Sequence, residues 1–263
     1  MDAKFVKKYG SWAVVTGATD GIGRAIALEL AGKGLNLIII ARGKIKLIDL
    51  AKQIEKDYQV QVKGLALDLS LAESVDKLLE GTKDLDVGLL VAAAGFGTSG
   101  ALIKSKLDEE LNMIDVNCKT VLAMSYQFGR MFADKKRGGI ILFGSLLGFQ
   151  GAPQTANYAA TKAYVQTLAE GLHYELKPFG VDVLATAPGP VGTGFAARAN
   201  MQMGATATPQ EVAKSTLAAL GHNITVRPGF LAKFLGYSLS TMNRWGRIKV
   251  IQMIMGGMTK HQN

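Results

Sequence analysis

Two hydrophobic textures alternate along the chain. Short, near-continuous apolar runs fall at residues 12–15, 35–41, 86–94, 140–143 and 181–186, and residues 60–67 read as a further strand. Between them, apolar residues recur at helical spacing over 24–33, 45–57, 71–82 and 106–133. The same spacing returns in a segment that has Tyr158 near its start and runs to about Leu176. A continuous apolar run suits a parallel strand covered on both faces, and the longer period suits an amphipathic helix. Strands alternating with helices predict an α/β fold, one doubly wound parallel sheet with helices on both faces. No repeat, low-complexity tract or linker interrupts the alternation, so residues 1–228 read as one domain.

In such a sheet, ligands bind at the carboxyl ends of the strands. Gly17, Arg42, Asp68, Gly95, Ser145 and Pro188 all fall at those ends, which predicts one shared crevice. The first run leads into Thr16-Gly17-Ala18-Thr19-Asp20-Gly21-Ile22-Gly23 and then a helical pattern. Strand, glycine turn and helix open a Rossmann-type dinucleotide unit, in which backbone N–H groups and the helix N-terminus face a pyrophosphate. The second run ends at Ala41-Arg42-Gly43-Lys44, with Lys46 beyond. A carboxylate there would bond a ribose 2′-OH, whereas arginine suits a 2′-phosphate by forked hydrogen bonding. NADP(H) is therefore expected over NAD(H), the alternative being an Arg42 that stacks on adenine or faces solvent.

Tyr158-Ala159-Ala160-Thr161-Lys162 places a phenol and an ammonium one helical turn apart on one face. A nearby cation favours the ionised phenol, and a phenol so tuned can give or take a proton. The spacing alone equally describes two residues on a half-exposed helix. The position after Ser145, at the end of the sheet, makes the pair a candidate for chemistry.

Together these residues resemble the classical short-chain dehydrogenase/reductases, over most of residues 10–227. Thr16, Gly17, Gly21, Ile22 and Gly23 match that family's cofactor loop, and Asp68-Leu69 matches its adenine-contacting turn. Asn117, Ser145, Tyr158 and Lys162 match its catalytic tetrad in order and spacing. Pro188-Gly189 with Thr193 matches the segment at the nicotinamide end. The cofactor-binding set implied by the resemblance is Gly17, Thr19, Asp20, Gly21, Ile22, Gly23, Arg42, Asp68, Leu69, Ala94, Gly95, Tyr158, Lys162, Pro188, Gly189, Val191 and Thr193. The resemblance implies Tyr158 as general acid or base and Lys162 as the group that lowers its pKa and holds the nicotinamide ribose. It also implies Ser145 as donor to the reacting oxygen, and Asn117 as holder of a relay water. Thr16–Gly23 and the segment after Ala41 look most like the 3-oxoacyl and 17β-hydroxysteroid type reductases. One departure is Ala92-Ala93-Ala94-Gly95, where the family usually has Asn-Asn-Ala-Gly. It puts the rigidity of that turn in question rather than the chemistry.

Of the 263 residues, 48% are hydrophobic and 19% charged, enough apolar material for a large core and too little charge for a disordered chain. The single cysteine, Cys118, excludes an intrachain disulfide and fits a reducing compartment. The three histidines lie far apart without ligand spacing, so no metal is expected. There is no signal-like apolar stretch at residues 1–10 and no long apolar run that would span a membrane. A cytoplasmic location follows, or one peripheral to a membrane.

The net charge of +9 is unevenly placed. No Asp or Glu follows Glu211, while Lys214, Arg227, Lys233, Arg244, Arg247, Lys249 and Lys260 do. Residues 191–207 are rich in Gly, Ala and Met and in the family close over substrate. Soft side chains such as Met201 and Met203 point to an apolar substrate or to ordinary core packing. Thr208-Pro209 reads as the start of a helix. Residues 229–263 form an extension of two amphipathic helices, the second containing Trp245. They either lie on an anionic membrane surface, cover the substrate pocket or pack across a subunit interface. No nucleic-acid recognition motif accompanies the basic residues. The function expected is hydride transfer between NADP(H) and a carbonyl or secondary alcohol of an apolar, 3-oxoacyl- or steroid-like small molecule. The alternative is a weakly catalytic NADP(H)-binding sensor. The resemblance also implies a homodimer or homotetramer formed through residues 106–133 and 153–176.

Overall fold

The computed structural model describes residues 2–262. In chain order its first half runs α1 (Ala3–Tyr9), β1 (Trp12–Thr16), α2 (Gly21–Gly32), β2 (Asn36–Ala41), α3 (Lys44–Tyr58), β3 (Val62–Ala66), α4 (Ser74–Thr82) and β4 (Val87–Ala92). There follow α5 (Leu107–Ile114), α6 (Thr120–Asp134), β5 (Gly138–Phe143), α7 (Ala156–Leu176) and β6 (Val181–Thr186). The chain ends with α8 (Phe195–Arg198), α9 (Pro209–Ala219), β7 (Thr225–Val226), α10 (Phe230–Ser240) and α11 (Arg244–Met258).

The seven strands form one sheet in the order β3-β2-β1-β4-β5-β6-β7, with every neighbouring pair parallel. The strand order reverses direction between β1 and β4, where open α/β sheets place their ligand crevice. Side chains alternate across the sheet, so each central strand feeds two cores. Val15, Leu37, Ile39, Leu89, Val91 and Ile141 join one core with α2, α3 and α9. Val14, Ile38, Ile40, Leu90, Ala92 and Ile140 join the other with α4, α6 and α7. Burial on both faces explains why these strands read as unbroken apolar runs.

The expected single helix over 106–133 is two helices joined by a π-helical turn, Asp115–Lys119, with Asn117 buried inside it. The ends of β3, β4 and α4 lie inside the expected ranges, since residues 67–73 and 93–101 leave the regular elements to line the crevice. The sequence pattern missed α1, which is too short for helical periodicity to show. Asp2 caps it by accepting from Phe5 N–H at 3.1 Å, and the buried Tyr9 donates its hydroxyl to Asp182 at 2.7 Å. Thr208 caps α9 as expected, accepting from Glu211 N–H at 3.1 Å. The helix pair α10–α11 is present as expected, with Ala232, Leu239, Ile251 and Met255 buried.

Candidate active site

The glycine turn after β1 faces a cleft of about 490 Å³. Gly17, Thr19, Asp20, Gly21, Ile22 and Gly23 form one wall. Gly17 has φ +66°, a conformation that favours glycine. A Cβ on Gly23 would run into the carbonyl oxygen of Gly17, so the turn can be this tight only with glycine there. Asp20 caps α2 by accepting from Gly21 N–H at 2.8 Å. Arg42 and Lys46 line the end beside β2, with no carboxylate at that strand end. Asp68 and Leu69 also line the cleft. The Asp68 carboxylate accepts from the backbone N–H and hydroxyl of Ser70 at 3.0 and 2.8 Å. The Ser70 N–H bond, aided by the charges of Arg42 and Arg198, holds its pKa below the usual range. A bare-backbone cradle with two cations fits a dinucleotide carrying an extra phosphate.

Ala94 and Gly95 complete the cleft at the end of β4. Alanine in place of asparagine at positions 92 and 93 does not leave this turn without side-chain bonds. Thr16 Oγ1 accepts from Ala94 N–H at 3.0 Å, and Asn117 brackets Phe96. Asn117 Nδ2 donates to Phe96 O at 2.8 Å while Oδ1 accepts from Phe96 N–H at 3.2 Å. Its second N–H goes to Thr161 Oγ1 at 3.1 Å. Both amide donors are thus used within the protein.

Ser145, Tyr158 and Lys162 converge from two elements onto the same strand ends. Ser145 ends the loop after β5 and accepts from Leu147 N–H at 3.2 Å. Tyr158 and Lys162 lie one turn apart on α7, both buried. Lys162 Nζ donates to Phe143 O, the last carbonyl of β5, at 2.8 Å. The α-carbon of Gly95 sits against the Asn117–Lys162 pair: a Cβ there would lie 3.0 Å from Asn117 Oδ1 and 3.4 Å from Lys162 Nζ. The tetrad is therefore brought together.

Its titration differs from the expectation that Lys162 depresses the phenol. Burial raises the Tyr158 pKa to about 12, and the Ser145 hydroxyl only partly offsets this. Burial also lowers Lys162 to about 8, because an ammonium with one carbonyl partner is poorly solvated. Nζ bonds Phe143 O and lies 5.8 Å from the phenol ring centre.

A second cavity, of about 170 Å³, adjoins the first. Ser145 and Tyr158 supply hydroxyls to a wall otherwise made of Leu146, Leu147, Met201, Met203 and the inner faces of α10 and α11. Pro188, Gly189 and Val191, expected at the cofactor, line this apolar cavity; Thr193 and Ile22 line both spaces. Phe195 also stands between the two, its ring centre 5.3 Å from that of Tyr158. A Cβ on Gly97 would lie 2.8 Å from Phe195 and 3.0 Å from Tyr158, so glycine lets both rings close there.

One feature was not anticipated from sequence. Arg198, on α8, reaches the cleft and places its guanidinium 3.8 Å from the Phe96 ring centre. Its pKa is lowered by burial and by nearby Arg42. The closure of the cavity by Leu235, Leu239, Ile251, Ile254, Met255 and Met258 matches the pocket-covering alternative for residues 229–263. Helical spacing had marked these residues as apolar, but not which way they turn.

The description "short chain dehydrogenase" belongs to the family model that matches residues 11–204. A 7beta-hydroxysteroid dehydrogenase of Clostridium sardiniense is 35% identical over 231 residues, covering 86% of this chain and 88% of that protein. A solved structure concerned with 7beta-hydroxysteroid dehydrogenase stereoselectivity aligns with a TM-score of 0.87 at 26% identity, covering 94% of this chain and 98% of that one. A short-chain dehydrogenase from Sphingobium yanoikuyae in complex with NADPH aligns with a TM-score of 0.79 at 25% identity, covering 88% and 93%.

Proposed function

Because the chain belongs to the short chain dehydrogenase family, we propose that it is an NADP(H)-dependent oxidoreductase that interconverts a carbonyl and a secondary alcohol on an apolar, steroid- or acyl-like small molecule. The observation that carries this reading is that Ser145 and Tyr158 place hydroxyls in the wall of an apolar cavity that shares Ile22, Thr193 and Phe195 with the glycine-walled cleft. The bound nicotinamide supplies or accepts the hydride. Tyr158 delivers a proton to the substrate oxygen in reduction and withdraws it in oxidation. Ser145 donates a hydrogen bond to the same oxygen, where charge develops. Lys162, whose Nζ lies beside Gly95, would hold the ribose hydroxyls. Asn117 fixes the Phe96 turn, and the backbone of its widened helical turn is the better candidate to hold a relay water.

A phenol that stays protonated at neutral pH is suited to the acid role in carbonyl reduction. Steroid-like substrates gain support from the similarity to 7beta-hydroxysteroid dehydrogenase and from the apolar lining of the cavity. NADP(H) gains support from Arg42 and Lys46, and from the NADPH complex of the Sphingobium relative. The test is NADPH and NADH oxidation over a panel of apolar ketones, with calorimetric binding of each cofactor to wild type and Arg42→Ala. NADPH is expected to be preferred, with Arg42→Ala weakening NADPH by roughly tenfold or more and NADH little. Preference for NADH in the wild type would overturn the cofactor assignment. Absence of turnover on every ketone, with NADPH binding intact, would favour the sensor reading.

A further inference from the structure

The outer face of the C-terminal helix pair also carries large apolar side chains. On α10, Ala232 and Leu239 are buried and Leu235 lines the cavity. On the opposite side Phe230, Phe234 and Tyr237, spaced four and three residues apart, form one stripe, with Phe230 82% and Tyr237 75% exposed. Phe230 and Phe234 stack at 6.2 Å between ring centres. After the turn capped by Asn243, α11 repeats the arrangement: Ile251 and Met255 are buried, while Trp245 is 70% exposed and Met253 is also exposed. A helix with apolar residues on both sides needs a second apolar surface, and exposed patches of this kind mark interaction sites.

The charges around this patch have one sign. Lys233, Arg244, Arg247 and Lys249 belong to the two helices, and no Asp or Glu occurs beyond Glu211. Among the described residues none of the four forms a salt bridge. Arg247 donates to the carbonyls of Met242 and Ser240 at 2.9 and 3.1 Å, keeping its full charge at the turn between the helices. Lys249 Nζ lies 5.9 Å from the Trp245 ring centre, so cation and aromatic share one side of α11. Aromatic rings with interleaved Lys and Arg are suited to the boundary between acyl chains and anionic headgroups. A second copy docked by two-fold symmetry would set this basic face against itself, with no acidic residue on either helix to offset the repulsion. Among the described residues no helix is long and apolar enough to cross a membrane, so contact would be with the surface.

We propose that the outer face of α10–α11, with Phe230, Phe234, Tyr237 and Trp245 as the apolar contacts and Lys233 and Lys249 as the cationic ones, docks the protein on an anionic lipid surface, the charges of Arg244 and Arg247 near the turn adding to the positive field. The inner faces of the same helices roof the apolar cavity, so docking brings that cavity to the lipid. The docking itself depends on this surface alone and stands apart from the proposed redox chemistry.

The test is co-sedimentation of the full chain with vesicles of phosphatidylcholine plus phosphatidylglycerol, and of phosphatidylcholine alone, with sedimentation velocity run in parallel. Binding to the anionic vesicles at low salt is expected, at least roughly tenfold stronger than to the neutral ones and weakened by added salt. The double variant Phe234→Ser, Trp245→Ser should lose roughly tenfold or more of that binding, with an unchanged thermal midpoint and NADPH affinity showing that the fold is kept. Failure of the wild type to pellet with anionic vesicles at low salt would overturn the proposal, as would equal binding by the double variant. If the double variant instead dissociates an oligomer and lipid binding is absent, the face belongs to a second copy.

Discussion

Lys162 has one carbonyl, that of Phe143, as its acceptor, and it sits among buried groups. The consequence is a definite pH signature. Its folded pKa, about 8, lies below the ordinary 10.5, so between those values the unfolded chain holds a proton that the folded chain lacks. Stability contributed at this site therefore rises with pH across that window, because the unfolded state binds more protons. Tyr158 acts in the opposite sense only above its ordinary value of 10, since its folded pKa is raised. The thermal midpoint of the cofactor-free wild type, relative to Lys162→Met, should thus climb from pH 8 towards pH 10. A difference that is flat or falls over that range would show that the ammonium is well solvated.

Arg198 gives a second expectation at this scale. It is 3.8 Å from the Phe96 ring centre, and it shares the cleft with Arg42. Arg198→Met should weaken NADPH binding by roughly tenfold, the value of one charge-assisted contact, read by calorimetry. Unchanged affinity would leave Arg198 a packing residue for the lid. Candidate residues differ in how legible they are. Tyr158 and Lys162 could be read because helical spacing fixes their shared face. The direction of Nζ could not, since it is set by the position of Phe143 at the end of another element. Arg198 was hidden for a related reason: residues 191–207 have no periodicity that says which side chains turn inward.

At the scale of elements, the strands were legible because burial on both faces leaves an unbroken apolar run, as in Asn36–Ala41. The π-turn at Asp115–Lys119 was not, because inserting one wider turn barely alters the apolar spacing on either side of it. Nor was β7, whose two residues are too few to carry a pattern. The lid and roof helices were recognised as apolar, yet only packing shows that α10 and α11 close the cavity. Leu239 tests that packing, since it is buried in the satellite core and also lines the cavity. Leu239→Ala should cost about 2 kcal/mol, near the lower end for such truncations because part of the side chain already faces open space. It should also ease turnover of bulkier ketones relative to small ones. Chemical denaturation and a substrate series check the two halves. No loss of stability would mean that α10 packs loosely on the sheet domain.

For the whole molecule, the sheet and its two cores account for a single body whose functional groups gather at one edge. Further exposed apolar residues are Leu111 on α5, Leu122 and Tyr126 on α6 and Tyr164 on α7. They fall in the segments through which the family resemblance implies a dimer or tetramer. Leu122→Glu would bury a charge at each copy of such an interface while costing the monomer little, since exposed substitutions usually stay within about 0.5 kcal/mol. Sedimentation velocity should show the dimer of the wild type shifted to monomer in this variant; a wild-type monomer, or an unaltered dimer, would move the interface elsewhere.

The hydroxyls of Ser145 and Tyr158 in the apolar cavity wall, with Lys162 one turn from Tyr158 on α7, are the centre of the functional reading. Its most direct test is Tyr158→Phe, which removes one oxygen from a buried ring and leaves its packing against Phe195. The measurement is single-turnover oxidation of bound NADPH by an apolar ketone that the wild type reduces, with NADPH affinity determined alongside. With affinity intact, the rate should fall by about 10²–10⁴-fold, the usual contribution of a positioned acid. A variant that binds NADPH normally and reduces the ketone at the wild-type rate would contradict Tyr158 as the proton donor, and with it the proposed active site.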